Sequence, residues 1–113
     1  MTLIVSAEIH GLAGSTRELT EILIEHATAE AAADGCLGAI AAVPLGAPPG
    51  EFTLVTRWLD EPSLQAHYAT AEYQRYVELA SPLLARPSDV RISYAEREVL
   101  AIADLSQDPT RQG

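Results

Sequence analysis

Apolar and polar residues alternate over residues 3–10 (LIVSAEIH), with Leu3, Val5, Ala7 and Ile9 on one face and Ile4, Ser6, Glu8 and His10 on the other. A period of two with β-branched enrichment predicts a strand. After a turn at 11–14, Ser15-Thr16-Arg17-Glu18 has the S-x-x-E spacing of a helix capping box. The period then becomes helical: Leu19, Ile22, Leu23, His26, Ala27 and Glu30 share one stripe, and Asp34-Gly35 is the expected stop. Residues 36–43 (CLGAIAAV) predict a second, small-residued strand, and the Pro- and Gly-rich stretch 45–50 a hairpin connection. The clearest strand is 51–59 (EFTLVTRWL), with Phe52, Leu54, Thr56 and Trp58 facing one way. Asp60 is placed to cap a helix with Pro62 in its first turn, and Thr70 to cap a second segment after a break at 69–71. That segment carries Tyr73, Tyr76, Val77, Ala80, Leu83 and Leu84 as one apolar stripe, and Pro87 is expected to end it. Residues 89–100 predict a fourth strand.

The order β-α-β-β-α-β folds, by two right-handed crossovers around a central hairpin, into a four-stranded antiparallel sheet with both helices on one face. One domain over 1–103 is expected, with 104–113 a polar, frayed tail. The sheet's other face would carry Ile4 and Val55, which is too apolar for an isolated chain, so a homodimer burying it is expected. Arg57 and Glu8 lie on that face and are placed to pair.

Charge narrows the partners. Asp and Glu number 16 against 7 Lys and Arg, a net charge of −9, which argues against nucleic acid and anionic membrane surfaces as partners, since these need clustered cations. No stretch reaches the ~18 apolar residues of a spanning helix, and no basic n-region precedes Leu3, so a cytoplasmic protein is expected. Cys36 is the one cysteine, so neither an intrachain disulfide nor a thiolate zinc cluster can form. It opens a buried strand and reads as a small hydrophobe.

Candidate chemistry is confined to one stretch, RWLDEPSLQAHYATAEYQRY at 57–76, which holds the single tryptophan and three of the four tyrosines. Trp58 points from the third strand toward the helices, and Tyr73 and Tyr76 point back from the second helix. His67 and Tyr68 sit at the helix break, where side chains can edge a pocket. Core filler is the ordinary role for such aromatics. His10 and His26 read as bystanders, and Glu18, Glu21 and Glu25 as a solvated face. No metal-binding spacing and no nucleophile motif is present.

The segments D-G-C-L-G at 34–38, F-T-L-V-T-R-W at 52–58 and L-Q-A-H-Y-A-T-A-E-Y at 64–73 resemble the antibiotic biosynthesis monooxygenase domain family, nearest to its quinol-monooxygenase members. The resemblance spans about residues 2–96 and implies a ferredoxin-like, dimeric α+β barrel. It matches Trp58 to the family's strand-three tryptophan and His67-Tyr68 to its histidine with a following aromatic. Quinol-type members read T-P-H after that histidine, where this chain has Thr70, Ala71 and Glu72. The asparagine and tyrosine used on polyketide anthrones correspond to Leu54 and Leu64. The asparagine and histidine of haem-degrading relatives correspond to Ile9 and Val77, so neither of those mechanisms is expected here.

The resemblance implies an oxygenase that needs neither flavin nor metal, because an electron-rich quinol or phenolic substrate supplies the electrons to dioxygen. The protein must deprotonate the substrate and hold its anion in a dry pocket. His67 is the expected base or hydrogen-bond partner, since an imidazole titrates near neutrality. Trp58 is the expected stacking wall, and Tyr68, Tyr73, Tyr76, Leu54 and Ile9 the expected lining. The same scaffold serves non-oxidative isomerases and polyketide cyclases, or a non-catalytic small-molecule-binding dimer, and both readings stay open on sequence.

Overall fold

Alternation builds the sheet. In a computed structural model, which describes residues 1–99 and 101, strands β1 (Thr2–His10), β2 (Cys36–Ala42), β3 (Glu51–Trp58) and β4 (Asp89–Ala95) form one antiparallel sheet in the order β2-β3-β1-β4. Register pairs Leu3 with Trp58, Val5 with Thr56, Ala7 with Leu54 and Ile9 with Phe52, so the inward residues of the two central strands lie side by side. Helices α1 (Thr16–Ala31), α2 (Glu61–Tyr68) and α3 (Ala71–Ala80) cover that face, as the ferredoxin-like order requires. No helix among the described residues is long and apolar enough to cross a membrane.

Several local expectations are corrected. Ser15 precedes α1 with φ −101° and ψ 5°, outside the extended geometry of a cap, and its side chain caps nothing. Its N–H bonds instead to Leu12 O at 3.0 Å, which winds the turn directly into the helix. Helix α1 ends at Ala31, before Asp34, in tight turns from Ala32 and Ala33 to Ala29 and Glu30. Helix α3 ends at Ala80, not at Pro87: Pro82 enters a 3₁₀ turn, Ser81–Leu83, since it cannot continue an α-helical ladder. The apolar stripe is accordingly broken, with Val77 exposed and Leu83 and Leu84 packed on the core from outside the helix. Strand β4 ends at Ala95. Beyond it Glu98 reaches Arg57, accepting from Nε at 3.2 Å and Nη2 at 2.6 Å, so the expected Arg57–Glu8 pair is replaced. The expected tail at 104–113 lies outside the described residues.

The expected caps of α2 and α3 are present. Asp60 Oδ1 accepts from Ser63 N–H at 2.9 Å, and Thr70 Oγ1 accepts from Tyr73 N–H at 3.1 Å while donating to His67 O at 2.7 Å. Gly35 fixes where α2 begins. It holds φ +78°, and a Cβ there would lie 2.3 Å from Ser63 Oγ. Its carbonyl accepts from Leu59 N–H at 2.8 Å, which joins the start of β2 to the end of β3 beside the α2 cap.

Packing splits into two clusters. One holds Ile9, Leu19, Leu23, Phe52, Leu54 and Ala80; the other holds Leu3, Val5, Trp58 and Leu64. The helical layer leaves β4 bare on this side: Val90, Ile92 and Tyr94 pair with Ala7, Val5 and Leu3 yet remain 40–56 % exposed. The opposite sheet face carries Ile4, Val55 and the 67 %-exposed Ile40 beside Arg57.

Candidate functional site

Between the two apolar clusters lies a cavity of about 100 Å³, bounded by Val5, Ala7 and Ile9 of β1, Leu54 and Thr56 of β3, and Leu64 of α2. Tyr68, Tyr73 and Tyr76 close its helical side, and Ser88 and Val90 its margin toward β4. Beside the hydroxyls of Thr56 and Ser88, three buried polar side chains, His26, Glu30 and His67, enter this largely apolar and aromatic space. A separate cleft of about 470 Å³ between α1 and the α2–α3 break reaches the same three residues from outside, past Asp34, Ser63, Thr70 and Glu72.

Helix geometry assembles the trio. His26 and Glu30 are four apart on α1 and lie one above the other on its inward face. His67 enters from the last turn of α2, whose end is fixed by the Thr70 hydroxyl bonded to the His67 carbonyl. One carboxylate then serves both imidazoles: Glu30 Oε1 is 2.9 Å from His26 Nε2, and Glu30 Oε2 is 3.1 Å from His67 Nε2. These are ion-pair separations without hydrogen-bond alignment, since Glu30 Oε1 and His67 Nε2 are buried with no directed partner. Burial pushes the Glu30 carboxyl up, but the two imidazoles outweigh it and hold it below its ordinary value, so the group is an anion.

The aromatic shell orients the imidazoles. Tyr76 stacks on His26 with centroids 3.7 Å apart and planes 7° from parallel. Trp58 lies against His67 at 4.7 Å, and Tyr73 approaches His67 at 5.4 Å. Tyr68, Tyr73 and Tyr76 are all harder to ionise than free tyrosine, through burial first; the Glu30 charge comes next for Tyr73 and Tyr76, and behind the Tyr73 phenol for Tyr68, with Tyr76 pushed up to about 12. They therefore face the cavity as neutral phenols.

His67, Tyr68, Tyr73, Tyr76, Leu54 and Ile9 all border this cavity. Trp58 does not. It is fully buried, its Nε1–H donates to Thr56 Oγ1 at 2.8 Å, and it backs the His67 ring instead of offering a wall to a ligand. Cys36 is half-buried, its Sγ–H directed at Gly38 O, and burial raises its thiol pKa, which suits a packing role. His26 is central to the site, in contrast to the bystander role expected for it, and Glu30 joins it. A signal was present in the sequence: a histidine and a glutamate four apart within an apolar helical stripe must find a partner once buried. His10 lies apart, at the far end of β1, bound to Glu51 at 2.6 Å and Asp89 at 2.9 Å.

Fold and site together define a ferredoxin-like α+β domain with an aromatic cavity and a buried polar pole between its layers. The profile described as Antibiotic biosynthesis monooxygenase matches residues 2–79, more than half of the chain, and the chain belongs to that family. Among solved structures, Rv0793 from Mycobacterium tuberculosis is similar with TM-score 0.81 at 23 % identity, covering 88 % of this chain and 100 % of that one. A candidate antibiotic biosynthesis monooxygenase from Deinococcus radiodurans gives TM-score 0.81 at 19 % identity, covering 89 % and 99 %. Another from Caulobacter crescentus gives 0.78 at 15 %, covering 85 % and 91 %. At these identities the likeness is one of fold. No curated protein matches the sequence.

Proposed function

We propose that this protein is a monooxygenase for an electron-rich aromatic small molecule of the quinol or phenolic class, with dioxygen as co-substrate and a homodimer as the working unit. The observation that carries the reading is the buried His26–Glu30–His67 pole at the wall of an apolar, tyrosine-lined cavity. A substrate hydroxyl directed at that pole can pass its proton to the His67 imidazole, whose positive charge the nearby Glu30 carboxylate would then stabilise. The phenolate left in a dry cavity is electron-rich enough to be the electron source for dioxygen. A domain that only bound an aromatic would have no use for an anion and two imidazoles at the cavity wall, so the pole favours chemistry over passive binding.

Size constrains the substrate. A cavity of about 100 Å³ is smaller than the ~150 Å³ that accommodates one benzene. A single ring therefore needs slight expansion, and a fused-ring substrate must extend past Ser88 and Val90, where the helices leave β4 uncovered.

Oxygen uptake with menadiol and anthrone panels, read beside product mass, tests the proposal. The His67→Ala variant is expected to lose roughly 10²–10⁴-fold in rate, the usual scale for a positioned acid–base group. Equal rates for the variant and wild type on every turned-over substrate would remove His67 from the reaction. A product of unchanged mass would assign the pole to isomerisation or cyclisation instead.

A further inference from the structure

We infer that His26, Glu30 and His67 form a binding site for a divalent first-row transition-metal ion, a property that the sequence offered no spacing to suggest. The inference rests on the trio's geometry and not on the oxygenase reading, since a His67 that ligates an ion through Nε2 cannot also take a substrate proton there.

Five observations carry it. The donor set is two imidazole nitrogens and one carboxylate, a combination that suits iron, cobalt or zinc and leaves coordination positions open. The separations fit: ligands about 2.1 Å from a cation and mutually cis lie about 3.0 Å apart, and the two nitrogen–oxygen distances here are 2.9 and 3.1 Å. One donor atom from each of the three residues lies within 4.8 Å of the other two. Glu30 Oε1 and His67 Nε2 are also buried without a directed partner, an arrangement that costs free energy unless something occupies the space between them.

The fourth observation concerns support. Tyr76 stacked on His26 and Trp58 packed on His67 fix both ring planes before any ion arrives. Preset ligand rings lower the ordering cost of coordination. The fifth is access. The 470 Å³ cleft leads to the trio past Asp34 and Glu72, and the chain's net charge of −9 favours cation entry.

Titrating metal-free protein with Co²⁺ tests this directly, because a bound ion gives visible d–d absorption. One ion per chain is expected, displaced by Zn²⁺, with Glu30→Gln, His26→Ala and His67→Ala each weakening binding by about 100-fold or more. Should a variant fail to fold, the wild-type protein still decides the matter by imidazole NMR. Added Co²⁺ should shift and broaden the ring protons of His26 and His67, with no comparable change at His10. His10→Gln should bind as wild type does. No Co²⁺ absorption, retention of full affinity in folded Glu30→Gln, or perturbation confined to His10 would each overturn the inference.

Discussion

Trp58 shows how one side chain's surroundings decide its job. Its indole is fully buried, hydrogen-bonded to Thr56 and packed on His67, so its first contribution is to stability and to the orientation of that imidazole. Replacement by Phe removes ring volume and leaves the Thr56 hydroxyl unpaired in the core. A loss on the order of 1–3 kcal/mol follows, to be read as a lower urea midpoint. A midpoint unchanged from wild type, with only KM raised, would restore Trp58 to the role of a ligand-facing wall. The aromatic and histidine content of 57–76 was legible from sequence, as was the position of Tyr73 and Tyr76 facing the sheet. Which aromatic faces the cavity was not, because Trp58 and Leu54 share one face of β3 and only the packing of α2 covers the first and leaves the second open.

At the scale of elements, His10 ties three segments together. It sits at the end of β1, held by Glu51 from β3 and Asp89 from β4, with Glu8 beside Asp89 and the Arg86 guanidinium 3.3–3.4 Å from its ring nitrogens. The Asp89 and Glu51 bonds raise its pKa, against smaller opposition from burial and Arg86. A group whose folded pKa lies above its unfolded value contributes stability in full below the unfolded value, here 6.5. That contribution fades as pH rises through the higher folded value. Thermal midpoints should therefore decline above about pH 6.5 in wild type, and His10→Gln should flatten that part of the profile. An unchanged slope in the variant would show that other groups set it.

The junction of β2 with α2 gives a second prediction at this scale. Gly35→Ala forces a side chain into the left-handed region, which costs roughly 1–2 kcal/mol. It also drives Ser63 away from its bonds to Asp60 Oδ1, removing a cap of about 1 kcal/mol. A combined loss of ~2–3 kcal/mol is expected in urea denaturation, together with displaced His67 resonances as α2 shifts. Wild-type stability in the variant would mean that the turn has room to refold around the methyl group. The caps at Asp60 and Thr70 were readable because each depends on neighbours within three residues. The failed cap at Ser15 and the early end of α3 were not, since both turn on how the connecting segment enters or leaves the packed layer.

Among the described residues, one sheet face and one edge are only partly covered. Ile4, Ile40 and Val55 lie on the face opposite the helices, and Val90, Ile92 and Tyr94 line the bare side of β4. Apolar area of this kind is ordinarily buried by a partner, and a second copy is the partner proposed. Light scattering should give a mass of two 12.1 kDa chains, and Ile40→Lys should shift the population toward monomer. Wild-type protein that scatters as a monomer throughout the micromolar range would rule that assembly out.

Periodicity by itself determined the element order, the inward faces of β1 and β3, the two helix caps at Asp60 and Thr70 and the ferredoxin-like topology. Each of these follows from contacts made within a few residues or from alternation across one strand. Only the tertiary structure decided the site. It joined His26 and Glu30 of α1 to His67 of α2, some forty residues on, and burial gave meaning to charges that look ordinary in the linear chain. The physical reason is range: a local pattern records which face a side chain takes, whereas its partner is set by how separate elements pack.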